Sequence, residues 1–157
     1  RLDDSRLAVV LAHELAHHKR KHIPKLIAAQ AALGVGAFFV LTLALRGLGP
    51  ALGLRGVADP AGLPLVFLVL GGAGFLVAPF ARAVSRRLEA GCDDDALRAT
   101  EDPGAFISAM RKLSGLNLAE ESPSPWVERL FYSHPPIARR IERAEAFRRA
   151  RPVSRAP

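Results

Sequence analysis

Three residues near the start of the chain have the types and the spacing of a zinc hydrolase site. His13, Glu14 and His17 form an H-E-x-x-H pattern. Each residue of an α-helix turns by about 100°, so histidines four positions apart lie about 40° from one another on one face. Two such imidazoles can share one zinc ion, and the adjacent carboxylate can accept a proton from the attacking water. The same pattern also arises by chance in helical proteins. The rest of the chain must therefore show whether these residues form a zinc site.

The residues around this pattern favour a helix within residues 1–25. Asp4 or Ser5 is a suitable N-cap, and helix-compatible leucines, valines and alanines follow. Two further histidines, His18 and His22, lie about 140° and 180° around such a helix from His13. We therefore expect both of them at the surface, outside the site.

The composition combines hydrophobicity with positive charge. Half of the 157 residues are hydrophobic, and the formal net charge is +7. This balance is typical of a nucleic-acid binder or of a membrane protein with basic flanks. Lys and Arg are absent from two long apolar runs and cluster beside them, and no base-reading motif is present. The pattern therefore predicts a lipid bilayer as partner and no nucleic acid.

Two uncharged runs, residues 26–45 and 62–81, predict a pair of transmembrane helices. At about 1.5 Å per residue each run covers the roughly 30 Å hydrocarbon core of a bilayer. The loop between them carries only Arg46 and Arg55, whereas both flanks are rich in Lys and Arg. By the positive-inside rule both flanks are cytoplasmic, which returns the chain to the side of His13.

The remainder, residues 82–150, is expected to be helical. The predicted parts are a basic stretch to about Thr100, a helix from Asp102-Pro103 to near Gly115, a loop over 117–125, and a last helix from Pro135-Pro136 with Ile137, Ile141 and Ala144 buried. We expect residues 151–157 to form a disordered tail. The opening on an arginine instead of a methionine suggests a fragment of a longer protein.

Two carboxylates beyond the hairpin are candidates for completing a metal site. Glu89 and Asp93 lie four positions apart, on one helix face. Glu89 can supply a third ligand, and Asp93 can hydrogen-bond a ligating imidazole. The alternative is a solvated acidic patch, since residues 93–95 are all aspartates. Cys92, the single cysteine, lies three residues after Glu89 and could reach a metal, but we expect it to be a small buried thiol.

The combination of motifs resembles a known family. H-E-L-A-H, the two-span hairpin, S-R-R-x-E-x-x-x-D-x-x-A, and an ending that includes S-P-W and F-Y-S-H-P-P-I-A-R-R-I occur in this order between about Val9 and Glu145. They are similar to the integral-membrane zinc metalloproteases of the CAAX prenyl endopeptidase type. The chain departs from that family at Cys92, where an alanine is usual, and at Ala90, where an aromatic residue is usual.

The resemblance implies an all-α fold, in which a transmembrane hairpin is inserted into a helical metallopeptidase domain of residues 1–150. It also implies one Zn²⁺ per chain, held by His13, His17 and Glu89. Glu14 would be the catalytic base.

The same resemblance assigns roles to three residues further along. Asp93 matches the family's second acidic position, and His134 matches a histidine that stabilises the oxyanion. Arg140 matches an arginine with a substrate-binding or structural role. Trp126 and Tyr132 are expected in the core, with a membrane interface or a substrate groove as alternatives.

The predicted function is peptide-bond hydrolysis by a membrane-embedded zinc endopeptidase, with its active site on the cytoplasmic side. The resemblance implies a prenylated C-terminal CAAX peptide as substrate. The alternatives are a quality-control protease that cleaves membrane proteins, and a non-catalytic membrane scaffold with a vestigial site.

Overall fold

Helices make up all the regular structure of the described residues. The computed structural model describes residues 3–117 and 123–150, and these ranges contain no strand. The all-α prediction is therefore confirmed. The α-helices are α1 (Asp4–Lys19), α2 (His22–Leu48), α3 (Leu63–Thr100), α4 (Pro103–Asn117), α5 (Pro125–Phe131) and α6 (Ile137–Ala150). Short 3₁₀ turns at Pro50–Leu52 and Pro60–Gly62 lie between α2 and α3.

The first helix begins and ends differently from the prediction. Asp3, and neither Asp4 nor Ser5, is the N-cap, and its carboxylate accepts the backbone N–H of Arg6 at 3.0 Å. At the other end α1 stops at Lys19, and Lys21 adopts a positive φ of 53°. A residue in this left-handed region cannot continue an α-helix. His22 therefore starts a new helix, and its direction cannot be extrapolated from α1.

The helices divide into two compact units. One combines the residues up to His22 with those from Ala81 onward, and the other is Ile23–Phe80. The first unit has a core of fully or nearly buried apolar side chains drawn from α1, α3, α4 and α6. They are Val9, Ala96, Leu97, Phe106, Ile107, Ala109, Met110 and Ala144. Each large side chain buried in this way contributes about 1.5–3 kcal/mol.

The C-terminal helices match the prediction with one exception. Ala144 is fully buried, and Ile137 and Ile141 pack against the core, as the pattern of α6 predicted. The carboxylate of Asp102 accepts the backbone N–H of Ala105 at 2.8 Å and caps α4. The short helix α5 was not predicted. The predicted tail, residues 151–157, lies outside the described residues.

The second unit contains the two apolar runs. Helix α2 and the segment Pro60–Thr100 each contain a window long and apolar enough to cross a membrane, with mean hydropathies of 2.1 and 2.2. Only 6% and 11% of these windows are buried. Among their most exposed side chains are Phe38, Phe39, Phe67, Leu68, Phe75 and Phe80. So much exposed apolar surface is unfavourable in water and suits contact with lipid.

Candidate active site

Helices α1 and α3 are joined at the end of α1 by an ion pair that uses a glycine. Arg20 donates from Nε to Asp95 Oδ2 at 2.7 Å and from Nη2 to Oδ1 at 3.0 Å. Its guanidinium also passes over Gly91, where an added Cβ would lie 2.9 Å from Nη1. The absence of a side chain at Gly91 thus leaves room for Arg20 to reach Asp95. The pairing draws α1 against the part of α3 that carries the acidic residues.

Three candidate ligands meet between these helices. His13 and His17 lie on one face of α1, with their Nε2 atoms 3.2 Å apart. Glu89 projects from α3, and its Oε2 is 3.3 Å from Nε2 of His13 while its Oε1 is 3.3 Å from Nε2 of His17. One donor atom from each of the three side chains lies within 4.8 Å of the other two, so the side chains form a small triangle of donors. All three side chains are mostly buried, and Glu89 is 7% exposed.

This triangle has the size that a zinc ion requires. Zinc binds histidine nitrogen and carboxylate oxygen at about 2.0–2.2 Å in tetrahedral geometry, which places neighbouring donors about 3.3–3.5 Å apart. The two Nε2 atoms are 3.2 Å apart and each is 3.3 Å from an oxygen of the carboxylate, in agreement with this value. Two imidazoles and one carboxylate are also a donor set that catalytic zinc sites use. The residues present thus fit a zinc ion.

Asp93 lies behind His13 and is completely buried. One of its oxygens is 3.0 Å from His13 Nδ1, although the ring N–H does not point directly at it. Arg140 of α6 holds the same carboxylate from the other side, donating from Nε at 2.8 Å and from Nη2 to the second oxygen. A buried carboxylate needs such a partner. The alternative of a solvated acidic patch is therefore wrong for Asp93.

The proximity of these charges changes their pKa values. Burial alone would lower the pKa of His13, but contacts with Asp93 and Glu89 outweigh it and raise the value to about 9. Burial alone would raise the pKa of Glu89, but hydrogen bonds with His13 and His134 hold it well below its usual range. The pKa of Asp93 is likewise lowered, because His13 and Arg140 outweigh the effect of its burial. Both carboxylates are thus anionic at neutral pH, as a cation site requires.

His134 reaches the same carboxylate from the segment between α5 and α6. Its Nδ1 is 3.1 Å from Glu89 Oε2, while its side chain is 64% exposed. The hydrogen bond with Glu89 raises the pKa of His134. Arg86 supports this segment by donating to the backbone carbonyls of Glu128 at 3.0 Å and Tyr132 at 2.6 Å.

Glu14 occupies a different environment from that of the ligands. Its side chain is exposed and makes no hydrogen bond or ion pair with the described residues. Although Glu14 is adjacent in sequence to His13, it makes no hydrogen bond or ion pair with the residues around Glu89. This is compatible with a group that acts on a substrate or a water molecule.

His22 contradicts the expectation of a surface residue. It is 3% exposed, and its Nδ1 lies 3.1 Å from His17 Nδ1. Cys92, buried as predicted, places its sulfur 3.7 Å from the same nitrogen. Burial raises the pKa of Cys92 to about 11, which keeps the thiol protonated. The prediction failed because the chain leaves the helix at Lys21, whereas His18, still within α1, is exposed as expected.

Other residues near the site were missed or misplaced by the sequence analysis. Arg86 and Glu128 had no assigned role, yet they form an ion pair at 3.9 Å as well as the carbonyl contact. The sequence signals for Arg86 are its position three residues before Glu89, on the same helix face, and its place in the S-R-R-x-E motif. Trp126 is 61% exposed, so the expectation of core packing is wrong for this residue.

Comparison with known proteins identifies the family of this chain. The model of peptidase family M48 matches residues 1–148. An uncharacterized metalloprotease YhfN of Bacillus subtilis is 31% identical across 92% of the chain, which covers 35% of that relative. A protease HtpX homolog of Kineococcus radiotolerans is 35% identical across 93% of the chain, which covers 55% of it. A protease HtpX homolog of Methanopyrus kandleri is 27% identical across 94% of the chain and 50% of its own length.

These matches place the chain in a class of metallopeptidases. The chain belongs to peptidase family M48. It spans about a third to about a half of the length of the curated relatives that it matches.

We predict that zinc binding depends on the three converging side chains. His17→Ala or Glu89→Ala should lose most of the zinc, because each removes one of three protein donors. His18→Ala is the matched control, since this neighbouring histidine is exposed, and it should keep the wild-type content. Metal analysis of the detergent-purified proteins measures the effect, and equal zinc in wild type and Glu89→Ala would exclude Glu89.

We also predict that two arginines of α6 differ in their effect on stability. Arg140→Leu removes the guanidinium partner of the buried Asp93, leaving only the contact with His13 among the described side chains, and should cost about 3–5 kcal/mol. Arg143→Leu removes a half-exposed pair with Asp94 and should cost about 0–1 kcal/mol. Denaturant unfolding followed by circular dichroism compares the two variants. Similar losses for both would contradict the importance assigned to the Asp93 pair.

Proposed function

We propose that this chain is the catalytic part of a membrane-embedded zinc endopeptidase. The triangle formed by the side chains of His13, His17 and Glu89 carries the proposal, because the distances between its donor atoms suit zinc. Membership of peptidase family M48 supports hydrolysis of peptide bonds. The exposed apolar helices support a membrane location.

Glu14 is the general base of the proposed mechanism. A zinc ion held by His13, His17 and Glu89 would supply Lewis acidity, which would polarise the scissile carbonyl and lower the pKa of water to about 7. The Glu14 carboxylate is exposed and not engaged by another described residue, so it is available to accept a proton from the attacking water. It then returns that proton to the leaving amine. A carboxylate already held in an ion pair would be a weaker base and less free to move.

His134 is the proposed donor to the oxyanion. The contact of its Nδ1 with Glu89 raises the pKa of His134, and the other ring nitrogen remains available for a further partner. Its exposed position at the edge of the cluster suits contact with a substrate. A donor of this kind is typically worth about 3 kcal/mol in the transition state.

Asp93 and Arg140 have a supporting role in this proposal. Asp93 contacts the Nδ1 side of His13 and so orients its Nε2 toward the triangle. Arg140 in turn fixes the carboxylate and compensates its buried charge.

Two substrate classes are compatible with the proposal, and an assay that compares them on the same preparation distinguishes between them. The F-Y-S-H-P-P ending favours a prenylated CAAX peptide, cut after the cysteine. The relatives named above are a metalloprotease and protease homologs, and these names specify no prenyl group. Cleavage of a farnesylated peptide but not of its unmodified form supports the first class, and cleavage of a misfolded membrane protein supports quality control. The intact Glu14 argues against a non-catalytic scaffold.

We predict that catalysis and zinc binding separate on substitution. Glu14→Gln keeps the shape of the side chain and removes the base, so zinc should stay at wild-type content while cleavage falls by ~10² or more. His134→Ala should likewise keep its zinc and lose ~10²–10³ in turnover. Zinc content and peptide cleavage are measured on the same preparations. Cleavage at the wild-type rate by Glu14→Gln would refute the mechanism.

We predict that the loop between the apolar helices and the C-terminal helix lie on opposite sides of the membrane. The loop is poor in cations and its flanks are rich in them, so the flanks should be cytoplasmic. Cysteines at Leu54 and at the exposed Ala146, in a Cys92→Ser background, should react with an impermeant thiol reagent from opposite sides. Labelling of both from one side would contradict the hairpin.

A further inference from the structure

The imidazole of His17 has polar partners at both of its nitrogens. Its Nε2 lies in the triangle with His13 and Glu89, and its Nδ1 lies 3.1 Å from Nδ1 of His22. His22 is buried, and the two rings meet edge to face with centroids 5.0 Å apart. His17 is therefore held from two sides, as His13 is held by Glu89 and Asp93.

The chemistry of a ligating imidazole fixes the direction of this hydrogen bond. A histidine that binds a cation through Nε2 has its remaining ring proton on Nδ1. Nδ1 of His17 must then donate, so Nδ1 of His22 must accept and the proton of His22 must lie on Nε2. The thiol of Cys92 is a weak donor near that acceptor and is compatible with this tautomer.

We propose that His22 is a positioning residue that orients His17 and selects the tautomer in which Nε2 is free to bind the metal. The inference rests on the zinc site proposed above. It assigns to a neutral histidine the function that a carboxylate or a carbonyl commonly performs for a metal ligand. Asp93 and His22 would then orient the two histidine ligands, one each.

A second metal ion is the main competing explanation. Donor atoms of His17, His22 and Cys92 lie within 4.8 Å of one another and could hold a cation themselves. Such an ion would need Nδ1 of His17 without its proton while Nε2 is already engaged. The hydrogen bond needs no loss of this proton, and the distance of 3.1 Å between the two Nδ1 atoms is within the normal range for a hydrogen bond. The hydrogen bond is therefore the simpler reading of the contact.

Two substitutions of His22 test this role in the full-length, detergent-purified protein. His22→Leu removes the acceptor while keeping a buried side chain of moderate size. His22→Asn places an amide oxygen where Nδ1 of His22 lies, so it can still accept from His17. His18→Leu, at the exposed neighbouring histidine, is the control. The measurements are the zinc dissociation constant by chelator competition, the zinc stoichiometry, and the visible spectrum of the Co²⁺-loaded protein.

We expect one zinc per chain in wild type and about 10–100-fold weaker binding in His22→Leu. His22→Asn should recover most of this loss and restore the Co²⁺ spectrum, which a purely packing role would not explain. Wild-type affinity in His22→Leu would overturn the inference, and so would equal weakness of the Leu and Asn variants. Two ions in wild type and one in Cys92→Ser would establish the second metal site instead. Failure of wild type to bind zinc would overturn the proposed function itself, and the inference with it.

Discussion

The carboxylate of Glu89 is the interaction on which the arrangement of the first unit depends. Three imidazoles approach its two oxygens to within 3.1–3.3 Å, two from α1 and one from the segment before α6. A carboxylate that is 7% exposed is unfavourable unless positive or polar groups surround it. The contacts that compensate the buried charge of Glu89 therefore hold together the segments that carry the candidate ligands. The contacts that form the site are consequently also contacts that pack this unit together.

The three consecutive aspartates of α3 form ion pairs that join this helix to α6 and to the end of α1. Successive residues of a helix point about 100° apart, so one acidic run can reach three different partners. Asp93 pairs with Arg140, Asp94 with Arg143, and Asp95 with Arg20. Only the first pair is buried, so it has the largest consequences if one partner is removed. A run of charges that looks like a solvated surface thus connects α3 to α6 and to the end of α1.

Local patterns predicted the fold class and the helix faces, because hydrophobic periodicity acts within one helix. The spacing of His13 and His17 predicted a shared face, and the structure places their Nε2 atoms 3.2 Å apart. The same reasoning failed at His22, because it assumed that α1 continues through Lys21, where the backbone φ is positive. Contacts between distant segments, such as Arg86 with the carbonyl of Tyr132, left no periodic signal. The assignment of Glu89 relied on a family resemblance, because four-residue spacing alone also describes an ordinary acidic surface.

The groups of the candidate site separate by exposure in a way that matches the division of tasks. The proposed ligands and the residues that orient them are mostly buried, down to 0% exposure for Asp93. Packing and hydrogen bonds restrict their rotamers, and a metal site needs that rigidity to hold its geometry. Glu14 is exposed and His134 is 64% exposed, so both can meet a substrate that arrives from outside. His134 spans the two environments, because its Nδ1 touches the buried Glu89 while the rest of its ring faces outward. A substrate at this edge would therefore meet a donor whose orientation is already fixed by the ligand carboxylate.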